Sequence, residues 1–261
     1  MGEVPAVSPV RLEIDGPVAT VFLDRPAQLN ALDLTMRTAL FEAFNKVNED
    51  ASVLAVIVTG GEKVFAAGAD LRLLADKGPG AVRGLGFAEL WRPIAESPKP
   101  VIAAVSGYAL GAGCELALMC DIIVADGTAQ FGQPECKVGV MPGAGGSQRL
   151  VRAIGKPAAS LMLFTGAMLG ADRAYALGLV SELAATGECL AAARKIALRV
   201  AAMPPLAIAA IKRTLAHGMD LPLPAALALE NREFLLLFDT QDQKEGMAAF
   251  LEKRKPEFKG V

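Results

Sequence analysis

Residues 101–120 read VIAAVSGYALGAGCELALMC, a nearly unbroken apolar run whose one charge is Glu115. A run like this belongs inside a protein core or a bilayer. Ser106, Gly107, Gly111, Gly113 and Glu115 argue against the bilayer, since a carboxylate at the centre of a span costs about 2.5–3.5 kcal/mol. The flanks, Lys99-Pro100 and Asp121, do not resemble membrane anchors. The pattern therefore predicts a buried strand at 101–105, a glycine turn at 107–113, a helix at 113–119 and a second strand at 121–125.

The same reading extends along the chain. Residues 10–23 form two strands around Asp15-Gly16-Pro17, and 34–47 an amphipathic helix with Asp33 near its start. LAVIVTG (54–60) is a buried strand, and FAAGAD leads into a helix opening at Asp70. Residues 78–86 are glycine-rich and read as mobile, before a helix at 87–96. A short strand at 129–132 precedes helices at 145–153, 157–164 and 171–177, a strand at 178–183 and a helix at 187–202. Pro204-Pro205 then marks a boundary, followed by helices at 205–217, 222–238 and 241–254. The fold class is α/β, with a body over 1–202 and an all-helical region over 203–261.

Composition removes several functions. The net charge of −2 suggests no polyanion partner, and helix 33–50 sets Arg37 and Lys46 against Asp33, Glu42, Glu49 and Asp50, a poor face for nucleic acid. MGEVPAVSPV has neither a basic n-region nor a long apolar h-region, and position 6 is Ala, so neither a signal peptide nor myristoylation is expected. Cys114, Cys120, Cys136 and Cys189 include no CxxC pair and read as reduced core residues of a cytoplasmic protein. The lone histidine, His217, suits the last turn of a helix better than a metal site or a Ser-His-Asp triad. Any chemistry falls to carboxylates, lysines or the backbone, with no metal and no cofactor.

Glu115 then needs an explanation. An acid in the first turn of a helix is typically worth a few tenths to about 1 kcal/mol through the dipole. Its neighbours Cys114, Leu116, Ala117, Leu118 and Met119 are apolar, and no Lys or Arg occurs between Pro100 and Lys137. A buried carboxylate without a cation nearby in sequence is a candidate acid or base. Glu135, between Phe131-Gly132-Gln133-Pro134 and Cys136, is the second candidate. The turns before Ala112 and in FAAGAD each present free N–H groups, which together could hold an oxyanion. MPGAGGSQR lacks the Gly-Lys-[Ser/Thr] ending of a phosphate loop, and GYALGAG lacks GxGxxG spacing; both read as tight turns feeding buried helices.

Taken in order, RPAQLNAL, FAAGADL, KPVIAAVSGYALGAGCELALMCD, AQFGQPE, GVMPGAGGSQRL, TGAMLGADRAYALGLVSEL and EGMAAFLEKRKPEFKG resemble the enoyl-CoA hydratase/isomerase (crotonase) family over nearly the whole chain. The resemblance implies a spiral of ββα units and a C-terminal helical region that builds homotrimers, often paired into hexamers. It implies hydration of trans-2-enoyl-CoA to 3-hydroxyacyl-CoA in fatty-acid or phenylacetate-type degradation. The thioester oxygen would sit between the N–H groups of Ala69 and Ala112, with Glu115 activating water toward C3 and Glu135 giving a proton to C2. Contacts to the acyl-CoA would map to Ala27, Leu29, Ala67, Ala69, Asp70, Leu71, Arg72, Gly111, Ala112 and Gly143, and to Lys253 of a neighbouring subunit. The family often has lysine where Ala27 stands and glycine where Ala112 stands; the second change keeps the N–H. Residues 73–92 and 161–168 would shape the acyl pocket. Isomerisation, thioester hydrolysis and silent CoA binding are the alternative activities.

Overall fold

The computed structural model describes residues 8–261; the reading of the first six residues lies outside them. The chain opens with an antiparallel pair, β1 (Val10–Asp15) and β2 (Val18–Leu23), and then α1 (Leu34–Glu49). Asp33 caps α1 by accepting the Met36 N–H at 2.8 Å. Next come β3 (Ala55–Thr59), β4 (Val64–Ala66), α2 (Pro79–Arg83) and α3 (Phe87–Ala95). The apolar run forms β5 (Val101–Val105), β6 (Tyr108–Leu110) and α4 (Ala112–Met119). It is followed by β7 (Ile122–Asp126), β8 (Gln130–Gly132), α5 (Gly146–Thr165), β9 (Met168–Gly170), α6 (Ala171–Ala176), β10 (Glu182–Ala184) and α7 (Cys189–Ala201). The helices α8 (Pro205–Gly218), α9 (Leu223–Leu237) and α10 (Gln241–Glu252) close the chain.

The strands sort into two sheets, β1-β2-β3-β5-β7-β10 and β4-β6-β8-β9. Each of the pairs β3–β4, β5–β6 and β7–β8 gives one strand to each sheet before a helix follows, which is the ββα spiral. Parallel pairing of β2, β3, β5, β7 and β10 requires both faces of the first sheet to be covered. On β3, Val56 and Val58 face the core that contains Leu40, Phe44, Phe65, Leu116 and Phe131. Ala55 and Ile57 face the opposite way, against Cys189, Ala193 and Ala197 of α7. This double burial explains the unbroken apolar strands in the sequence.

Several expectations need correction. The stretch 78–86 carries the short helix α2, and the turn 107–113 contains β6. β4 and β9 escaped the sequence reading, and the strand expected at 178–183 occupies Glu182–Ala184. Strands of three residues show little alternation, and of these only β8 lies close to where the sequence places it. The two helices expected at 145–164 form one span broken at Gly155, whose backbone is non-helical (φ 76°, ψ 158°). Cys136 is exposed, because it lies on the surface 3₁₀ turn Pro134–Val138. His217 does sit in the last turn of α8. Among the described residues, no helix is long and apolar enough to cross a membrane.

Candidate active site

Two turns meet at the second sheet. The first follows β4, and the buried Asn30 ties it to the N-terminal loop. The Asn30 side chain donates to the carbonyls of Gly60, Val64 and Phe65 at 3.1–3.2 Å and accepts the Arg25 N–H at 2.9 Å. Its positive φ of 52° is a conformation that asparagine tolerates better than most residues. Leu29 O accepts the Ala67 N–H at 3.0 Å, and the Leu32 N–H donates to Gly68 O at 2.8 Å. These bonds bring 27–32 and 67–72 together. The second turn follows β6 and opens α4. A Cβ built on Gly68 would lie 4.0 Å from Ala112 N, so the two turns abut. Ala112 is the first residue of α4, where an N–H has no partner within the helix. Ala69 follows Gly68 directly, and neither its N–H nor that of Ala112 donates to a loop or turn carbonyl among the described residues.

Glu115 is 3% exposed on α4. Its Oε1 accepts the N–H groups of Ala144 at 2.6 Å and Gly146 at 2.9 Å. Among the described residues nothing donates to Oε2. The partner absent from the local sequence is thus the turn MPGAGG, which does more than feed α5. Arg149 steadies that turn, donating to Ala144 O at 2.8 Å. Two cations from distant sequence also feel the Glu115 charge. Burial lowers the proton affinity of both Arg37 and Arg149, and in each case Glu115 pulls it back.

Glu135 stands across from it. A Cβ built on Gly111 would lie 2.8 Å from Glu135 Oε1, and Gly111 also has φ 50° and ψ −122°; both facts call for glycine. With its amide turned to satisfy both groups, the buried Gln133 donates to Glu135 Oε1 and Oε2 at 3.2 Å. Burial raises the Glu135 pKa above the ordinary carboxylate range; the hydrogen bond from its own backbone N–H opposes this, and the Glu115 charge adds to it. Gln133 and Asn30 were missed in the sequence because buried amides carry no periodic signal.

The other expected contact residues divide. Ala27, Leu29, Leu71 and Arg72 are exposed beside the first turn, and Ala67, Ala69 and Asp70 are half-buried within it. Asp70 accepts from the Arg72 backbone and guanidinium at 2.9–3.0 Å, which lowers the Asp70 pKa. Gly111 and Ala112 are buried, and Gly143 is exposed next to Ala144. Lys253 is exposed at the end of α10, in a left-handed conformation with φ 56°. Among the described residues, no three His, Cys, Asp or Glu side chains group as metal ligands.

A family model for enoyl-CoA hydratase/isomerase matches residues 13–261. The chain belongs to the enoyl-CoA hydratase/isomerase family. Within that family it is similar to the 2,3-dehydroadipyl-CoA hydratase of Escherichia coli (strain K12), 44% identical over 93% of this chain and 95% of that one. It is 41% identical to the short-chain-enoyl-CoA hydratase of Clostridium acetobutylicum, over 95% and 96% of the two chains. The crystal structure of an enoyl-CoA hydratase subunit I from Geobacillus kaustophilus HTA426 superposes with a TM-score of 0.94 at 42% identity, over 98% of this chain and 99% of that one. The expected crotonase spiral is therefore this chain's fold.

Proposed function

We propose that this family member is an enoyl-CoA hydratase, a lyase that adds water across the double bond of a trans-2-enoyl-CoA to give the 3-hydroxyacyl-CoA. The observation that carries the reading is the pair of unlike acids. Glu115 is fixed through one oxygen by two backbone N–H groups, and Glu135 holds its proton more tightly than an ordinary carboxyl. Unlike environments are what separate a base from an acid. Glu115 Oε2 takes a proton from water as its oxygen bonds to C3. The electrons of the double bond pass to the thioester oxygen, held by the Ala69 and Ala112 N–H groups as an enolate. Glu135 delivers its proton to C2, and proton exchange restores both acids. All donors come from the chain, so the step uses no metal and no redox cofactor.

The acyl-CoA lies along 27–29, 67–72, 111–112 and 143, with Lys253 of a neighbouring subunit at the CoA. On this reading 1–202 carries the site, and 203–261 assembles a homotrimer or hexamer and lends Lys253 to the neighbouring subunit's CoA. α9 buries none of its residues, while Leu223, Leu227, Phe234, Leu235 and Leu236 are all more than half exposed, a large apolar face for a monomer. The test is incubation of the pure protein with crotonyl-CoA and mass analysis of the product. Gain of one water supports the reading; an unchanged thioester, or free acid and CoA, refutes it.

A further inference from the structure

The hydration step leaves one buried cation without a task. Arg37, on α1, is only 3% exposed and forms no ion pair among the described residues. Its Nε donates to Leu32 O at 2.8 Å. Its two terminal nitrogens donate to no described residue. The guanidinium carbon lies over the rings of Phe87 and Trp91, at 4.2 and 4.7 Å from their centroids. The Trp91 indole N–H is a further buried donor without a partner among the described residues. A buried charge left unpaired is costly. Burial lowers the Arg37 pKa to about 10, so the group stays charged at neutral pH.

Its position is set by the backbone. Leu32, which accepts from Arg37, donates its own N–H to Gly68, and Gly68 precedes Ala69 and abuts Ala112. Arg37 is thus tied through a single residue to the turn that receives the thioester. Of the two acids whose charge it feels, Asp33 is already engaged by Arg25 at 2.8 Å and by the Met36 N–H, and Glu115 by the 144–146 turn. Neither contacts Arg37. The rings of α3 that it stacks on belong to the segment expected to shape the acyl pocket.

We propose that Arg37 binds a carboxylate at the far end of the acyl chain, which makes short dicarboxylic enoyl-CoA thioesters the preferred substrates. This rests on the hydratase reading and names its substrate class. A carboxylate matches the planar fork of a guanidinium with two parallel hydrogen bonds. The Arg37 and Glu115 charges act on each other, so the cation offsets the repulsion of Glu115 on a carboxylate bound at the fork. A methyl-ended chain would leave the fork unpaired.

The experiment is calorimetric binding of two saturated thioesters, adipyl-CoA and hexanoyl-CoA, to the assembled protein. Neither ligand can be hydrated, so the result does not depend on turnover. The parent is expected to bind adipyl-CoA about tenfold or more tightly than hexanoyl-CoA. Arg37→Gln should bring that ratio to one or below, and Arg37→Lys, which keeps the charge without the fork, should lower it about threefold. A parent ratio of one or less overturns the proposal, as does an Arg37→Gln protein that keeps the parent's ratio. If Arg37→Gln does not fold, the parent ratio and Arg37→Lys decide. A parent that shows the ratio but hydrates no enoyl-CoA would instead sink the hydratase reading and leave the carboxylate assignment standing.

Discussion

Replacing Gly111 by alanine should separate binding from proton delivery. The added Cβ would lie 2.8 Å from Glu135 Oε1, whereas a carbon and an oxygen in ordinary contact are about 3.3 Å or more apart. The carboxyl must therefore retreat by about 0.5 Å. The residue must also keep φ 50° and ψ −122°, outside the left-handed helical region, a strain of roughly 1–3 kcal/mol for a side chain with a Cβ. A misplacement of 1 Å at a reacting group can cost about a hundredfold in rate, so about half that displacement predicts a loss of roughly ten- to a hundredfold in kcat. KM should change little, because the oxyanion donors are backbone groups. Gly16→Ala is the control. Gly16 has φ 58° and nothing within 4 Å of where a Cβ would stand, so that variant carries a positive φ without the collision. Initial hydration rates and urea unfolding of both variants are the assays. A Gly111→Ala enzyme that keeps kcat within twofold of the parent while folding normally would refute the placement of Glu135 at the reacting carbon.

Glu115→Gln can keep both N–H bonds through its amide oxygen, so it should fold like the parent and lose roughly 10²–10⁴-fold in kcat. Glu115→Ala leaves those N–H groups bare and should also lose about 1–3 kcal/mol in urea unfolding; equal stability of the two variants would show that the bonds do not matter. The folded protein holds the Glu135 proton more tightly than the unfolded chain does, so its stability should fall as pH rises from the ordinary carboxylate value to the raised one. Glu135→Gln should remove that slope, and parallel profiles for variant and parent would contradict the burial argument. Light scattering should find three or six subunits, and a monomer at micromolar concentration would contradict the assembly role given to α9 and its neighbours.

Elements with a long apolar pattern were legible in the sequence. The β1–β2 hairpin, α1 with its Asp33 cap, β3, and the run from β5 to α4 lie close to where periodicity and turn residues put them. Strands β4, β6 and β9, each three residues long, were not, because pairing rather than pattern defines them. Both acids were visible as charges in apolar surroundings. What holds them was not. The donors to Glu115 come from residues 144 and 146 and the neighbouring charges from Arg37 and Arg149, all brought close only by the spiral. The absence of Lys and Arg between Pro100 and Lys137 misled for that reason. A backbone N–H leaves no mark in the residue type, and neither does the direction in which Asn30 or Gln133 points its amide.

The most direct test is the fate of crotonyl-CoA in ¹⁸O-labelled water with the parent, Glu115→Gln, Glu135→Gln and the double variant. The parent should form 3-hydroxybutyryl-CoA with the solvent label at C3. Each single variant should do so roughly 10²–10⁴-fold more slowly. The double variant should lose far less than the product of the two losses, since both acids serve one addition and act as a unit. A 3-hydroxyacyl product formed at near-parental rate by Glu115→Gln, or no labelled product from the parent, would contradict the account.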